Sequence, residues 1–214
     1  MDIVNPDVER YMRTLQERHD EPVLLEMERE AEERDFPIVN RLVGVTLELL
    51  ARSIGARRVF ELGSGYGYSA YWFSRAVGPQ GEVHLTDGDP ENEPKALDYL
   101  GRAGLAGPVT FHVGDAVTSL RETPDHFDVI YCDIDKDGYP DAWRAARERI
   151  RPGGLYLCDN VLWSGRVAVD GADDTRSEWT EAIREHNRMI AEDERYLSTI
   201  VPTRDGVTVA LRVA

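Results

Sequence analysis

The chain is predicted to fold as an α/β protein, with a mostly parallel sheet, helices on both faces and an antiparallel hairpin at one edge. Three observations predict it. Short apolar runs alternate with segments of helical apolar spacing between residues 57 and 150. A glycine-rich turn, Gly63-Ser-Gly-Tyr-Gly67, joins the apolar run around Val59, Phe60 and Leu62 to a helix beginning near Tyr68. The last two β-rich runs are separated only by Pro202-Thr-Arg-Asp-Gly206, whereas a parallel return needs a crossover of about a dozen residues or more.

Taken in order, residues 6 to 34 carry Val8, Met12 and Leu15, then Val23, Leu24 and Met27, at helical spacing. They read as two helices broken at Asp20-Glu-Pro22, with Pro22 in a first turn. A third helix spans about 40 to 54, with Leu42, Val43, Leu47 and Leu50 on one face and Gly55 closing it. After the glycine turn come strand Glu82–Asp87 and a helix over about 90–102, then strand Val109–Val113 and a short helix through Leu120. Strand Phe127–Asp133 and a helix over 139–150 follow, then strand Gly154–Asp159. A charged helix over about 174–194, with Trp179, Ile183 and Met189 or Ile190 inward, leads to the hairpin of Tyr196–Val201 and Val207–Val213. The whole reads as one domain, 1–214, with a helical extension over 1–35 and the sheet core over 56–214; length per domain of about 150 residues is a soft guide here.

Composition excludes several functions. The net charge is −15, and Lys95 and Lys136 are the only lysines, so no basic patch is available to replace the counterions of a nucleic acid. Acid-rich, lysine-poor surfaces are those of proteins from salt-loving organisms, although a GC-rich genome also replaces lysine by arginine. With no run of about 18 apolar residues and no basic, apolar N-terminus, neither a membrane span nor export is expected, which points to the cytoplasm. Cys132 and Cys158 each precede an aspartate in a strand and read as two buried free thiols, a disulfide being the alternative.

Glycines let the turn bend sharply and bring a ligand against its amides. The pattern Gly-x-Gly-x-Gly is shorter than the dinucleotide fingerprint, and Glu61 stands just before it. A carboxylate there repels a pyrophosphate and attracts an ammonium, so an aminoacyl-nucleoside is favoured over a dinucleotide; a structural turn without ligand is the plainer alternative. Ligands of parallel sheets lie beyond the carboxyl ends of the strands. Those ends are acidic: Glu61, Asp87, Asp115, Asp133 and the pair Asp159-Asn160. Asp87 lies at the distance from the glycines at which a carboxylate binds ribose hydroxyls. Any one of these aspartates could equally be a helix N-cap.

Three segments together resemble the cation-dependent O-methyltransferases of the catechol and caffeoyl-CoA type: Glu61-Leu-Gly-Ser-Gly-Tyr-Gly-Tyr-Ser69, Asp133-Ile-Asp-Lys136 followed by Tyr139-Pro, and Asp159-Asn-Val-Leu-Trp-Ser-Gly-Arg-Val167. The resemblance runs from about residue 37 to 167 and more loosely through the hairpin. It departs from the family at Phe36-Pro-Ile-Val-Asn40, where Ser or Thr is usual, and residues 1–35 match only in being helical. It implies a Rossmann-like, seven-stranded methyltransferase fold and a homodimer. It also implies S-adenosylmethionine (SAM) in the turn of Gly63, Gly65 and Gly67, with its ammonium on Glu61 and its carboxylate on Ser69. The ribose falls on Asp87 and the adenine beside Asp115 and Ala116, with Asp133 also beside the cofactor. Asp133, Asp159 and Asn160 become ligands of Mg²⁺, or of Ca²⁺ or Mn²⁺.

Elementary chemistry agrees with that assignment. Asp133 and Asp159 end strands expected to be neighbours about 4.8 Å apart, and three oxygen donors without His or Cys select a hard cation before zinc. The open coordination positions suit the two oxygens of a vicinal diol. Lys136 is the candidate base, its ammonium weakened by the ion and strengthened by Asp135 and Asp137. Tyr139 and Trp163 are candidate walls for the acceptor, or core residues. Arg166 could pair with the acidic loop 170–174, which would repel an anionic acceptor and favour a small uncharged catechol over a coenzyme A thioester. Two other readings are a nicotinamide-dependent (NAD(P)) oxidoreductase, which needs a longer glycine spacing and a separate substrate domain, and a non-catalytic SAM-binding protein.

Overall fold

The computed structural model describes residues 3–169 and 177–214. Seven strands form one sheet in the order β3-β2-β1-β4-β5-β7-β6. They are β1 (Arg58–Leu62), β2 (Glu82–Asp87), β3 (Val109–Val113), β4 (Phe127–Cys132), β5 (Ile150–Cys158), β6 (Tyr196–Val201) and β7 (Val207–Arg212). The first five pair in parallel. β7 runs antiparallel to both β5 and β6, so the expected hairpin is present, but its second strand is inserted between the first and the rest of the sheet.

The central strands are apolar on both faces because helices cover both. On one face α3 (Arg41–Ser53), α4 (Tyr68–Val77) and α5 (Asn92–Arg102) bury Val43, Leu47, Trp72, Phe73 and Leu100. On the other, α6 (Ala116–Glu122), α7 (Tyr139–Ala146) and α8 (Ser177–Ala191) bury Leu120, Trp143, Ile183 and Ile190 around Phe60 and Ile130. Asn40 caps α3, its side-chain oxygen accepting from Val43 N at 3.0 Å, which satisfies an amide that the helix cannot.

The N-terminal segment forms α1 (Pro6–Thr14) and α2 (Pro22–Arg34). They differ in role: α2 sinks Leu24, Met27 and Ala31 into the core, whereas α1 buries nothing. The break at Pro22 falls where expected. Helix α7 stops four residues short of the expected end, because Ile150 leaves it to pair with Phe127 and start β5 early, across an irregularity in the β4 pairing. The acidic loop 170–174 and the expected start of the last helix lie outside the described residues. Cys132 and Cys158 stand opposite each other in the β4–β5 register as buried free thiols. Among the described residues no helix is long and apolar enough to cross a membrane.

Candidate active site

A cavity of about 920 Å³ opens at the carboxyl ends of the parallel strands. Its first wall is the glycine turn. Gly63 and Gly65 have φ of +81° and +49°, and a Cβ on Gly63 would stand 2.6 Å from the Asp133 carbonyl oxygen. Glycine is therefore required on both counts, conformation and space. The turn is tied to β2: Thr86 Oγ1 accepts from Gly63 N at 3.2 Å and donates to the Glu61 carbonyl at 2.8 Å, and Asp87 Oδ2 accepts from Gly65 N at 2.9 Å. Gly67 does not line the cavity. Its φ of +89° opens α4, and a Cβ there would meet Ala96 of α5 at 3.1 Å, so it serves helix packing.

Glu61 lies behind this turn at 0% exposure, and neither carboxylate oxygen has a hydrogen-bond partner among the described residues. Burial pushes its pKa up to about 7; the hydroxyls of Ser69 and Ser64 face it and temper the shift without reaching hydrogen-bonding geometry. A buried acceptor left without a donor is costly, and it is the anion to expect where a ligand supplies the missing cation. Ser69 lines the cavity, as do Asp87, Asp115 and Ala116. Asp115 is also the N-cap of α6, accepting from Thr118 N at 2.7 Å, which was the plainer reading for a strand-end aspartate.

The second wall is built from the ends of β4 and β5. Cys132 and Cys158 are in register, so the next residues, Asp133 and Asp159, stand side by side, with Asp159 N donating to the Cys132 carbonyl at 3.1 Å. Asp133 and Asn160 line the cavity. Asp159 sits behind them at 0% exposure, its Oδ1 without a partner among the described residues and its Oδ2 3.4 Å from Arg204 Nη1. Burial and the neighbouring Asp133 charge raise its pKa, and Arg204 partly offsets them. Two carboxylates and an amide, one carboxylate oxygen buried and unsatisfied, suit a hard divalent ion.

Lys136 is 9% exposed; its ammonium donates to Asp133 Oδ1 at 3.1 Å and to the Ile134 carbonyl at 3.2 Å, and lies 4.9 Å from the centroid of the Tyr139 ring. Burial works to lower its pKa, but the Asp133 carboxylate outweighs burial and the net shift is upward. Tyr139 is not an acceptor wall. It is fully buried, and its hydroxyl donates to the Asp159 carbonyl at 2.8 Å, a strut from α7 to the end of β5.

Trp163 does line the cavity, and Trp179 of α8 joins it with ring centroids 5.8 Å apart. The sequence reading had Trp179 inward, and it does pack against the core under α6, α7 and α8 while also reaching the cavity. That reading missed Phe36 and Ile38, which wall the cavity beside the glycine turn, and Arg204 and Asp205, which close it beside the β5 end. Phe36 packs so close to the glycine turn that a Cβ on Gly65 would come within 2.9 Å of its ring; Arg204 and Asp205 lie in the β6–β7 turn, whose place at the cavity depends on strand order. Arg166 stacks on Trp163 at 5.4 Å, and the acidic loop suggested as its partner lies outside the described residues.

Comparison with known proteins agrees with this geometry. The family model described as O-methyltransferase matches residues 10–213. The chain belongs to the O-methyltransferase family. It is 30% identical over 177 residues to a catechol O-methyltransferase of Niastella koreensis, covering 78% of this chain and 79% of that one. It is 30% identical over 179 residues to caffeoyl-CoA O-methyltransferase 2 of Zea mays, covering 79% and 68%. Among solved structures, the O-methyltransferase TomG of Streptomyces achromogenes, in complex with SAM, superposes with a TM-score of 0.82 at 29% identity over 91% of both chains. The nicotinamide alternative is set aside with this assignment.

Proposed function

We propose that the chain transfers the methyl group of SAM to a hydroxyl of a catechol-like acceptor, with a divalent cation held by Asp133, Asp159 and Asn160. The observation that supports this is the shared cavity: the glycine turn, with Glu61 behind it and without a hydrogen-bond partner among the described residues, faces Asp133 and Asn160 across one space, with Asp159 buried behind them. SAM supplies an activated methyl group and an ammonium to neutralise Glu61. A divalent ion supplies Lewis acidity toward an acceptor hydroxyl.

The chain's own residues do the rest. Glu61, Ser69 and Asp87 fix the donor, and Trp163 and Trp179 offer ring faces to an aromatic acceptor, so that two reactants become one oriented pair. Lys136 Nζ would receive the acceptor proton after giving up one of its own to solvent. In the present arrangement Asp133 holds that ammonium charged; once the Asp133 charge is committed to a cation, burial is left to lower the lysine toward neutrality. A small, uncharged catechol fits the acidic surroundings of Asp135, Asp137, Asp141 and Asp205 better than a coenzyme A thioester. The apolar residues Val8, Tyr11 and Leu15 left exposed along α1 support pairing with a second copy.

The test is methyl transfer from SAM to catechol and to phenol, with Mg²⁺ and with EDTA. Catechol should be methylated only with the ion, and phenol should not react. Activity of Asp133→Ala in EDTA equal to that of the unaltered enzyme with Mg²⁺ would end the metal mechanism. SAM binding without transfer to any phenol would instead favour a non-catalytic binder.

A further inference from the structure

The two carboxylates at the cation site already have monovalent partners, and these are unlike each other. Asp133 holds Lys136, which has two acceptors and is buried. Asp159 holds Arg204, whose described partner is the single long contact of 3.4 Å, and whose side chain is 34% exposed at the cavity edge. The backbone beneath Arg204 is unusual as well. Its φ is +49°, a region that side chains other than glycine rarely adopt.

That conformation is imposed by the β6–β7 turn. Val161 N donates to the Gly206 carbonyl at 3.2 Å, Leu162 N to the Asp205 carbonyl at 2.9 Å, and Ser164 N to Asp205 Oδ1 at 2.5 Å. The turn is thereby locked onto the loop that follows Asp159, with Arg204 directed at the buried carboxylate.

We propose that Arg204 is a resident counter-ion for Asp159 that competes with the divalent cation and sets the affinity of its site. With both monovalent partners in place each of the two carboxylates already faces a cation. A divalent ion bound between them would bring two further positive charges close to Lys136 and Arg204 in a largely buried space, where like charges repel strongly. One partner must withdraw. Arg204 is the one able to, having a single long contact and a route to solvent, whereas Lys136 is enclosed. Its guanidinium is the described side-chain partner of Asp159 Oδ2, and it yields that carboxylate when an ion arrives.

This inference rests on the cation-dependent reading above, and its test separates the two. The probe is Mn²⁺, whose binding is followed by the loss of the free-ion electron paramagnetic resonance signal and, independently, by the rise in melting temperature. The proteins are the unaltered chain, Arg204→Gly, Arg204→Lys and Asp159→Asn. Glycine suits the positive φ, so that variant relieves the backbone and should fold. Arg204→Gly should bind Mn²⁺ at least about tenfold more tightly, as expected on removing one competing charge from a partly buried site, and should gain more melting temperature from Mn²⁺ than the unaltered chain. Arg204→Lys, which keeps the charge, should fall between the two. Equal or weaker Mn²⁺ binding by Arg204→Gly overturns the counter-ion role while leaving the cation site standing. Absence of Mn²⁺ binding in both, or binding unaffected by Asp159→Asn, overturns the cation site itself and the inference with it.

Discussion

Glu61 and Gly63 show how single residues set the cofactor side of the cavity. A carboxyl pushed up to about 7 by burial must lose its proton to meet an ammonium. Affinity for SAM should therefore rise with pH up to about 7 and then level off, falling by up to about tenfold per unit below it. Calorimetric titration from acid to mildly alkaline pH checks this, and an equally pH-dependent Glu61→Gln would remove Glu61 from the account. The stability sign runs the other way. The folded, ligand-free chain keeps a proton that an unfolded one loses near the ordinary value of 4.5, so this group's contribution favours folding less as pH rises from about 4.5 to about 7. Gly63→Ala should cost roughly 2 kcal/mol or more, through its positive φ and a Cβ pressed on the Asp133 carbonyl, measured as a drop in the urea midpoint.

Among the elements, the segment after β5 depends on its neighbours. Trp163, Ser164 and Gly165 all have positive φ, and the Asp205 carboxylate accepts from Ser164 N at 2.5 Å. Asp205→Ala should loosen this segment and raise the KM for the acceptor several-fold, with SAM affinity little changed because the glycine turn is tied to β2 instead. Steady-state kinetics in both substrates measures the split; equal losses would mean that the loop supports the whole cavity. This segment also marks where sequence reading stopped. Local signals were legible: the glycines, the apolar alternation, Asn40 as a cap, Pro22 as a break, and the strand-end acids, because each depends on a few adjacent residues. Arg204, Asp205 and Trp179 were not. They reach the cavity only because β7 is inserted between β5 and β6 and α8 packs below them, and no local pattern encodes the order in which strands join. Tyr139 misled for a related reason: an aromatic residue near a site reads the same whether its ring faces ligand or core.

For the molecule as a whole, the net charge of −15 sets long-range repulsion against many local ion pairs. Exposed pairs contribute little, typically below about 1 kcal/mol each, and are weakened by salt. Repulsion summed over the surface acts at the longer distances that salt screens first, since the screening length falls from about 10 Å at 0.1 M to about 3 Å at 1 M. The melting temperature should accordingly rise with NaCl across that range. A fall would mean that exposed pairs such as Arg144 with Asp141 and Glu185 dominate, and that the acidity is no adaptation to salt.

Placing β7 between β5 and β6 has a consequence for how the molecule comes into being. The glycine-turn side of the cavity is encoded by residues up to about 116, whereas the turn that closes the side of the β5 end comes much later in the chain, with residues 202–206. A growing chain thus acquires the glycine turn and its strand-end acids well before it can close the other side of the cavity, and the hairpin must find its slot beside β5 against the entropy of a long closure. Turnover should consequently appear last during refolding, lagging the recovery of SAM binding.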